Sequence, residues 1–156
     1  MSLINRQTDY AIRILLSLAK RPPGTRVSSA VLREEMLIPK ALSHRIVADL
    51  AHGNFILTFP GRTGGLQLAR PAAEINLLQV VRFFQGPIEV SDCLVNGEYN
   101  CPFDQTCPVH SRWSRLNALI QQELESQNLE TLAIETLALE TKVDHPIRPK
   151  EAPATQ

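Results

Sequence analysis

Ser28-Ser-Ala-Val-Leu-Arg-Glu-Glu-Met-Leu-Ile-Pro-Lys-Ala-Leu-Ser-His-Arg-Ile-Val-Ala-Asp-Leu-Ala-His-Gly-Asn54 reads as two helices joined by a tight turn. Ser28 or Ser29 can cap a short helix through Val31, Leu32 and Met36, and Pro39 must end or restart it. A further helix begins near Pro39, with Leu42, Ile46 and Leu50 on one face and Lys40, Ser43 and His44 pointing elsewhere, and stops at Gly53-Asn54. Upstream, Ala11, Ile14, Leu15 and Leu18 recur at helical spacing after a polar start at Asn5 to Asp9, and Lys20-Arg21 before Pro22-Pro23-Gly24 ends that helix. Three helices in close succession, the last two separated by a turn, form the skeleton of a helix-turn-helix.

Downstream the pattern changes. Phe55 to Phe59 and Leu66 to Ala69 read as short strands, and Pro60-Gly-Arg-Thr-Gly-Gly65 between them supplies the backbone freedom of a hairpin loop, so a β-hairpin wing follows the helices. Asn76 and Gln79 form a capping box for a helix through Val80, Val81 and Phe84 that ends at Gly86-Pro87 and packs back on the module. Between His110 and Gln127, the stripe Trp113, Leu116, Ile120 and Leu124 suits a helix that pairs with a second helix, of another copy or of its own domain. Thr131-Leu-Ala-Ile-Glu135 is echoed by Thr136-Leu-Ala-Leu-Glu140 and reads as a helical C-terminal end. From Pro146 onward proline is frequent and apolar content low, which predicts a tail.

The expected architecture is therefore mainly α with a small β-hairpin wing: a winged helix-turn-helix with a long C-terminal dimerisation helix. Its divisions are residues 1–86 for DNA binding, 87–109 as a cysteine-rich loop, 110–141 as dimerisation helix and helical end, and 142–156 as a disordered tail. The 156 residues, 44% of them hydrophobic, suffice for one compact domain with an appended element. No apolar stretch reaches the roughly 18 residues of a membrane span, and Met1-Ser-Leu-Ile-Asn-Arg6 lacks the layout of a secretory signal, so a soluble, cytoplasmic protein is expected. The formal net charge of zero conceals a division. Residues 1–70 carry ten Lys/Arg against four acidic residues, a net of +6, while residues 71–156 carry six against twelve, a net of −6. A basic N-terminal unit is the electrostatic footprint expected for nucleic acid, or else an unevenly charged solvated surface.

All three cysteines fall in one run, Cys93-Leu-Val-Asn-Gly-Glu-Tyr-Asn-Cys101-Pro-Phe-Asp-Gln-Thr-Cys107-Pro-Val-His110. An odd number of thiols without an export signal argues against a disulfide framework. Thiolates are the soft anionic donors that iron-sulfur clusters use, and Asn96-Gly97 with two Cys-Pro dipeptides makes the run irregular and hard to bury as ordinary core. A structural zinc held by the three sulfurs and His110, a thiol switch, or three inert thiols fit the same residues. No constellation of nucleophile, base and orienting residue is present, and Gly64-Gly65 belongs to a hairpin rather than opening a helix, so an enzyme is not expected.

Taken together, Gln7-Thr-Asp-Tyr-Ala-Ile-Arg13, Ile38-Pro-Lys-Ala-Leu42, Gly61-Arg-Thr-Gly-Gly-Leu-Gln-Leu-Ala-Arg70, the cysteine run and Cys107-Pro-Val-His-Ser-Arg-Trp113 resemble the IscR/NsrR/RirA-type family of winged-helix iron-sulfur transcriptional regulators, over roughly residues 1 to 135. The resemblance implies a homodimer on a near-palindromic double-stranded operator, with a 2Fe-2S or 4Fe-4S cluster held by Cys93, Cys101 and Cys107. Two fourth ligands are implied. His110 resembles the histidine ligand of the 2Fe-2S members, and Asp9 the aspartate that a partner protomer donates to a 4Fe-4S cluster. The cysteine spacing, seven residues and then five between successive thiols, is most similar to the RirA type. For DNA, the resemblance points to Lys40, Ala41, Ser43 and His44 early in the recognition helix and to Arg62 in the wing. Arg33 and Leu37 depart from the family pattern, standing where small residues and glycine are usual. Ser43 stands where an apolar residue is common, and Pro60 replaces a basic residue before the wing. The function expected is a regulator that senses iron, redox or nitric oxide status. The alternative is a cluster-free regulator using its cysteines as a redox switch or structural zinc site.

Overall fold

Asn5 starts the first helix, α1 (Arg6–Ala19), by accepting the Thr8 amide on its side chain at 2.8 Å, which satisfies one of the orphan N–H groups of the first turn. The computed structural model describes residues 3–95, 101–103 and 106–143; the expected tail lies outside the described residues from residue 144 on, as does the Asn96-Gly97 part of the cysteine run. Ala11, Ile14, Leu15 and Leu18 of α1 are buried as their spacing predicts, and they form the spine of the main core. Ser28 caps the second helix, α2 (Ser29–Glu35), through the Val31 amide. The third, α3 (Lys40–His52), begins directly after Pro39, whose missing N–H costs nothing at a helix start.

Two turns carry left-handed residues. Leu37 between α2 and α3 has φ +53° and Asn54 after α3 has φ +56°. In both, an amide just past the turn reaches back into the helix: Ile38 donates to the Arg33 carbonyl at 2.9 Å and Phe55 to that of Leu50 at 3.0 Å. Asn tolerates this conformation through its short polar side chain, whereas Leu does not. The position where the family pattern favours glycine is thus one where glycine is physically preferred.

The wing consists of β1 (Ile56–Phe59) and β2 (Gly65–Leu68), antiparallel with Ile56 opposite Leu68 and Phe59 opposite Gly65. Val27, just before α2, bridges to Leu66 through both backbone bonds, at 2.8 and 2.9 Å, and so adds a third segment beside β2. A Cβ on Gly65 would sit 2.8 Å from the Val27 carbonyl oxygen, so this close approach requires glycine. The capping box of Asn76 and Gln79 opens α4 (Leu77–Gln85), which Gly86 ends at φ +80°. The two last helices among the described residues are α5 (His110–Ser126) and α6 (Leu129–Glu140). Leu77 donates to the Gln127 carbonyl and Leu129 to that of Ile75, each at 2.9 Å, which ties the start of α6 to the start of α4. Leu129 and Ala133 are buried, Leu129 joins the main core, and Lys20 pairs with Glu140 at 2.6 Å.

Two expectations about faces are corrected. On α3, Leu42 is 39% exposed whereas Ser43 is 7% exposed and its hydroxyl donates to the Lys40 carbonyl at 3.0 Å. Both Leu42 and Ser43 lie at helical spacing from Ile46 and Leu50; the packing axis runs through 43, 46 and 50 because α3 rests on α1 and β1. The stripe on α5 is split. Ile120 and Leu124 pack against Leu78, Val81 and Ile88, a second small core, while Trp113, Leu116 and Leu119 stay exposed.

Candidate nucleic-acid interface and cysteine segment

The proposed DNA-reading residues lie on α3 and the wing. Lys40, Ala41 and His44 project into solvent from the first turns of α3, and Arg62 is exposed at the hairpin tip. Between α3 and the wing lies an open groove of about 490 Å³, lined by His44 and Val47 on one wall and Phe59, Pro60 and Arg62 on the other. The fold therefore brings His44 and Arg62, distant in sequence, to the two sides of one groove. Ser43 also borders this groove, but its hydroxyl is turned back to its own helix. Ser28 and Ser29 at the start of α2 complete the rim with small polar groups suited to phosphate oxygens.

Arg26 was not foreseen from the sequence. It precedes the Val27–Leu66 bridge, is exposed, and lays its guanidinium 3.6 Å from the centroid of the Phe59 ring. A cation stacked so closely on an aromatic face is held in one orientation while its N–H edges stay available. Pro60 lacks the basic side chain of the family pattern, and Arg26 places a cation on the preceding residue, Phe59, from another part of the chain. No local pattern signals this, because the Val27–Leu66 pairing is a tertiary event; an isolated arginine beside a loop valine was the whole sequence trace.

On the far side, the cysteine segment leaves α4 through Pro87 and reaches a short helical turn at Asp92–Leu94 that holds Cys93. Ser91 Oγ lies 3.3 Å from Cys93 Sγ. Asn117, almost fully buried on α5, accepts the Val90 amide at 3.2 Å and donates to the Glu89 carboxylate at 3.0 Å. This amide clamps the approach to Cys93 onto α5. It too was unforeseen, since an asparagine within an amphipathic stripe reads as a polar-face residue. Cys101 and Cys107 are, like Cys93, free thiols that are half-buried, and Cys107 precedes the turn that starts α5 at His110.

The donor chemistry suits a thiophilic metal centre: three free thiols and an imidazole within one short run of sequence. Among the described residues, however, no three Cys, His, Asp or Glu side chains stand close enough to share one ion. Asp9 is engaged elsewhere, its carboxylate paired with Arg13 one turn along α1 at 2.7 Å. No helix among the described residues is long and apolar enough to cross a membrane.

Known proteins match this architecture. "Protein aau3" of Rhizobium meliloti (strain 1021) is 28% identical over 120 residues, 76% of this chain and 77% of its own length. The HTH-type transcriptional regulator NsrR of Oceanobacillus iheyensis is 26% identical over 104 residues, 67% of this chain and 71% of its own. Among solved structures, CymR, the global cysteine regulator of B. subtilis, superposes with a TM-score of 0.71 at 22% identity over 86% of this chain and 98% of that one. IscR of T. potens gives 0.67 at 17% identity over 92% and 93%. The profile of the Rrf2 family, described as an iron-dependent transcriptional regulator, matches residues 4–135, and with the winged helix-turn-helix this shows that the chain belongs to the Rrf2 family of DNA-binding transcriptional regulators.

Proposed function

We propose that this regulator acts as a homodimer on a near-palindromic operator and that an iron-sulfur cluster held by Cys93, Cys101 and Cys107 sets its DNA affinity. The observation that carries this reading is that the three thiols are free and half-buried and fall in one short run of sequence ahead of α5. Such a cluster supplies iron chemistry sensitive to oxidants, nitric oxide and iron supply. The chain's own residues supply the link to DNA. Asn117 clamps the Cys93 approach to α5, Ile120 and Leu124 of α5 pack on Leu78 and Val81 of α4, and α4 rests on α1 beneath the recognition helix. A change in the cysteine segment thus has a continuous packed route to the groove, as a coupling between two sites requires.

Two residues are proposed as fourth ligand: His110, three residues beyond Cys107 at the head of α5, and Asp9 of the partner protomer, whose carboxylate would exchange Arg13 for the cluster. The exposed Trp113, Leu116 and Leu119 on α5 provide the apolar face by which a second copy would pair. His44 and Arg62 on the groove, with the exposed Lys40 and Ala41 at the start of α3, are the proposed DNA contacts, with Arg26 added and Ser43 reassigned to packing. Anaerobic native mass spectrometry of the purified protein counts iron and sulfide per dimer. The reading requires their loss in each of Cys93→Ala, Cys101→Ala and Cys107→Ala while the dimer persists; full DNA regulation by metal-free protein overturns it.

A second reading is a cluster-free thiol switch. It is favoured by the absence of a converged metal set among the described residues and by the hydroxyl contact at Cys93. Mass spectrometry after peroxide treatment distinguishes it, since it requires a disulfide or sulfenic acid that alters DNA binding in iron-free protein.

A further inference from the structure

A second cleft, of about 470 Å³, lies away from both the DNA groove and the cysteines, where the end of α1 and the loop after it meet the base of the wing and the first turn of α6. Its walls are apolar, with Leu18, Pro22, Pro23 and Leu68 among them, and its volume is that of a small-molecule site. Its charged groups are unequal. Arg21 is already neutralised, donating twice to Glu35 at 2.6 and 2.8 Å and once to the Ser17 hydroxyl. Arg70 is not: its Nε–H is buried without an acceptor, and among the described residues its guanidinium has no hydrogen bond or ion pair, only the face of Phe55 at 5.6 Å. Glu130, exposed in the first turn of α6, borders the same cleft and has no ion-pair or side-chain hydrogen-bonding partner among the described residues, so its carboxylate is open to a ligand.

A half-buried cation without a counter-ion is unfavourable unless something else supplies the charge. Arg70 and Glu130 do not satisfy one another, yet both border the same apolar space. We infer that this cleft binds a small zwitterion with an apolar body, namely an apolar α-amino acid, whose carboxylate meets Arg70 and whose ammonium group meets Glu130. An anion alone would answer Arg70 but face Glu130; a neutral apolar molecule would leave the Arg70 charge unanswered. The site joins the base of β2 to α1 and α6, so an occupant would brace the wing independently of the cysteine segment.

The test is a thermal-shift and calorimetric titration of the full chain, without DNA, using L-leucine, L-methionine and L-phenylalanine as probes. N-acetyl-L-leucine, L-leucinamide and inorganic phosphate serve as controls. Saturable stabilisation by at least one of the amino acids is expected, with both blocked leucines much weaker. Arg70→Gln should weaken that binding by about tenfold or more, as loss of a charge-assisted bond does. Glu130→Gln, on an exposed helix turn that tolerates change, should erase the preference for leucine over N-acetylleucine, which keeps the test valid should Arg70→Gln fold poorly. The inference is overturned if none of the three amino acids binds, if N-acetylleucine binds the wild type as well as leucine, or if the Arg70 and Glu130 variants respond like wild type. A response to phosphate alone, or a loss of DNA affinity in Arg70→Gln without amino-acid binding, would make Arg70 a phosphate contact and overturn it equally.

Discussion

The inner face of α1 and the outer face of α5 are both apolar stripes at helical spacing, yet they have opposite fates. Ala11, Ile14, Leu15 and Leu18 meet α2, α3, α4, α6 and the wing and are sealed from water. On α5, Ile120 and Leu124 find Leu78, Val81 and Ile88, while Trp113 and Leu116 remain 40% and 42% exposed. Periodicity reports that a helix has an apolar side; whether that side serves folding or association depends on what stands opposite.

The sharpest way to break the comparison is to shorten one side chain on each face. Leu15→Ala should cost about 2–5 kcal/mol in denaturant unfolding, because the sealed site leaves a cavity. Leu116→Ala should change unfolding of the monomer by less than about 0.5 kcal/mol and instead shift sedimentation toward monomer. Equal unfolding losses in the two variants would place Leu116 in the core of its own domain.

At the groove, removing the stacked cation should act on DNA and leave the fold intact. Arg26→Ala is expected to lower the slope of log affinity against log salt by about one unit, and Phe59→Leu, which removes the stacking surface, should give part of the same loss. Unaltered salt dependence in Arg26→Ala would show that Arg26 only covers Phe59.

Turn chemistry gives a smaller, opposite effect. Leu37 holds φ +53° and is 44% exposed, so Leu37→Gly relieves backbone strain and gives up only part of a buried leucine's packing. Part of the gain is offset by the greater freedom of glycine in the unfolded chain, leaving a stabilisation of about 1 kcal/mol. A lower denaturation midpoint in the glycine variant would mean that Leu37 packs more than its exposure indicates.

The smallest effect concerns Glu35. Hydrogen bonds from the Arg21 guanidinium, helped by that of Ser17, hold its carboxyl below the usual carboxylate range against the opposing influence of burial. A depressed folded value means that its stabilisation is complete above the unfolded value and fades as the pH falls through the folded one. Because the side chain is 37% exposed, solvent screens the pair, and Glu35→Gln should cost no more than about 1 kcal/mol at neutral pH, with the difference from wild type vanishing in acid. A difference that grows on acidification would reverse the assignment.

Most of the element pattern was legible locally. Asn5, Ser28 and the Asn76–Gln79 box start the helices that the apolar spacing predicts, and Gly86 ends α4 as expected. These signals act within a few residues, so no tertiary information is needed to read them. The segments of the proposed site mark themselves by composition: the cysteine run, the Gly-rich hairpin and the net positive charge of residues 1–70. The exchange of Leu42 for Ser43 was not legible, since adjacent helix positions differ by a rotation that only the surface opposite can choose.

The sequence by itself determined the order and type of the elements, the wing and the clustering of thiols, because caps, turns and apolar periods are short-range physics. Only the tertiary structure decided which faces close. It set the Val27–Leu66 bridge that carries Arg26 to Phe59, the Asn117 clamp on the road to Cys93, the division of α5 between its own core and water, and the meeting of Arg70 and Glu130 on one cleft. Each of these joins residues far apart in the chain, and such contacts depend on the packing of whole elements rather than on any local preference.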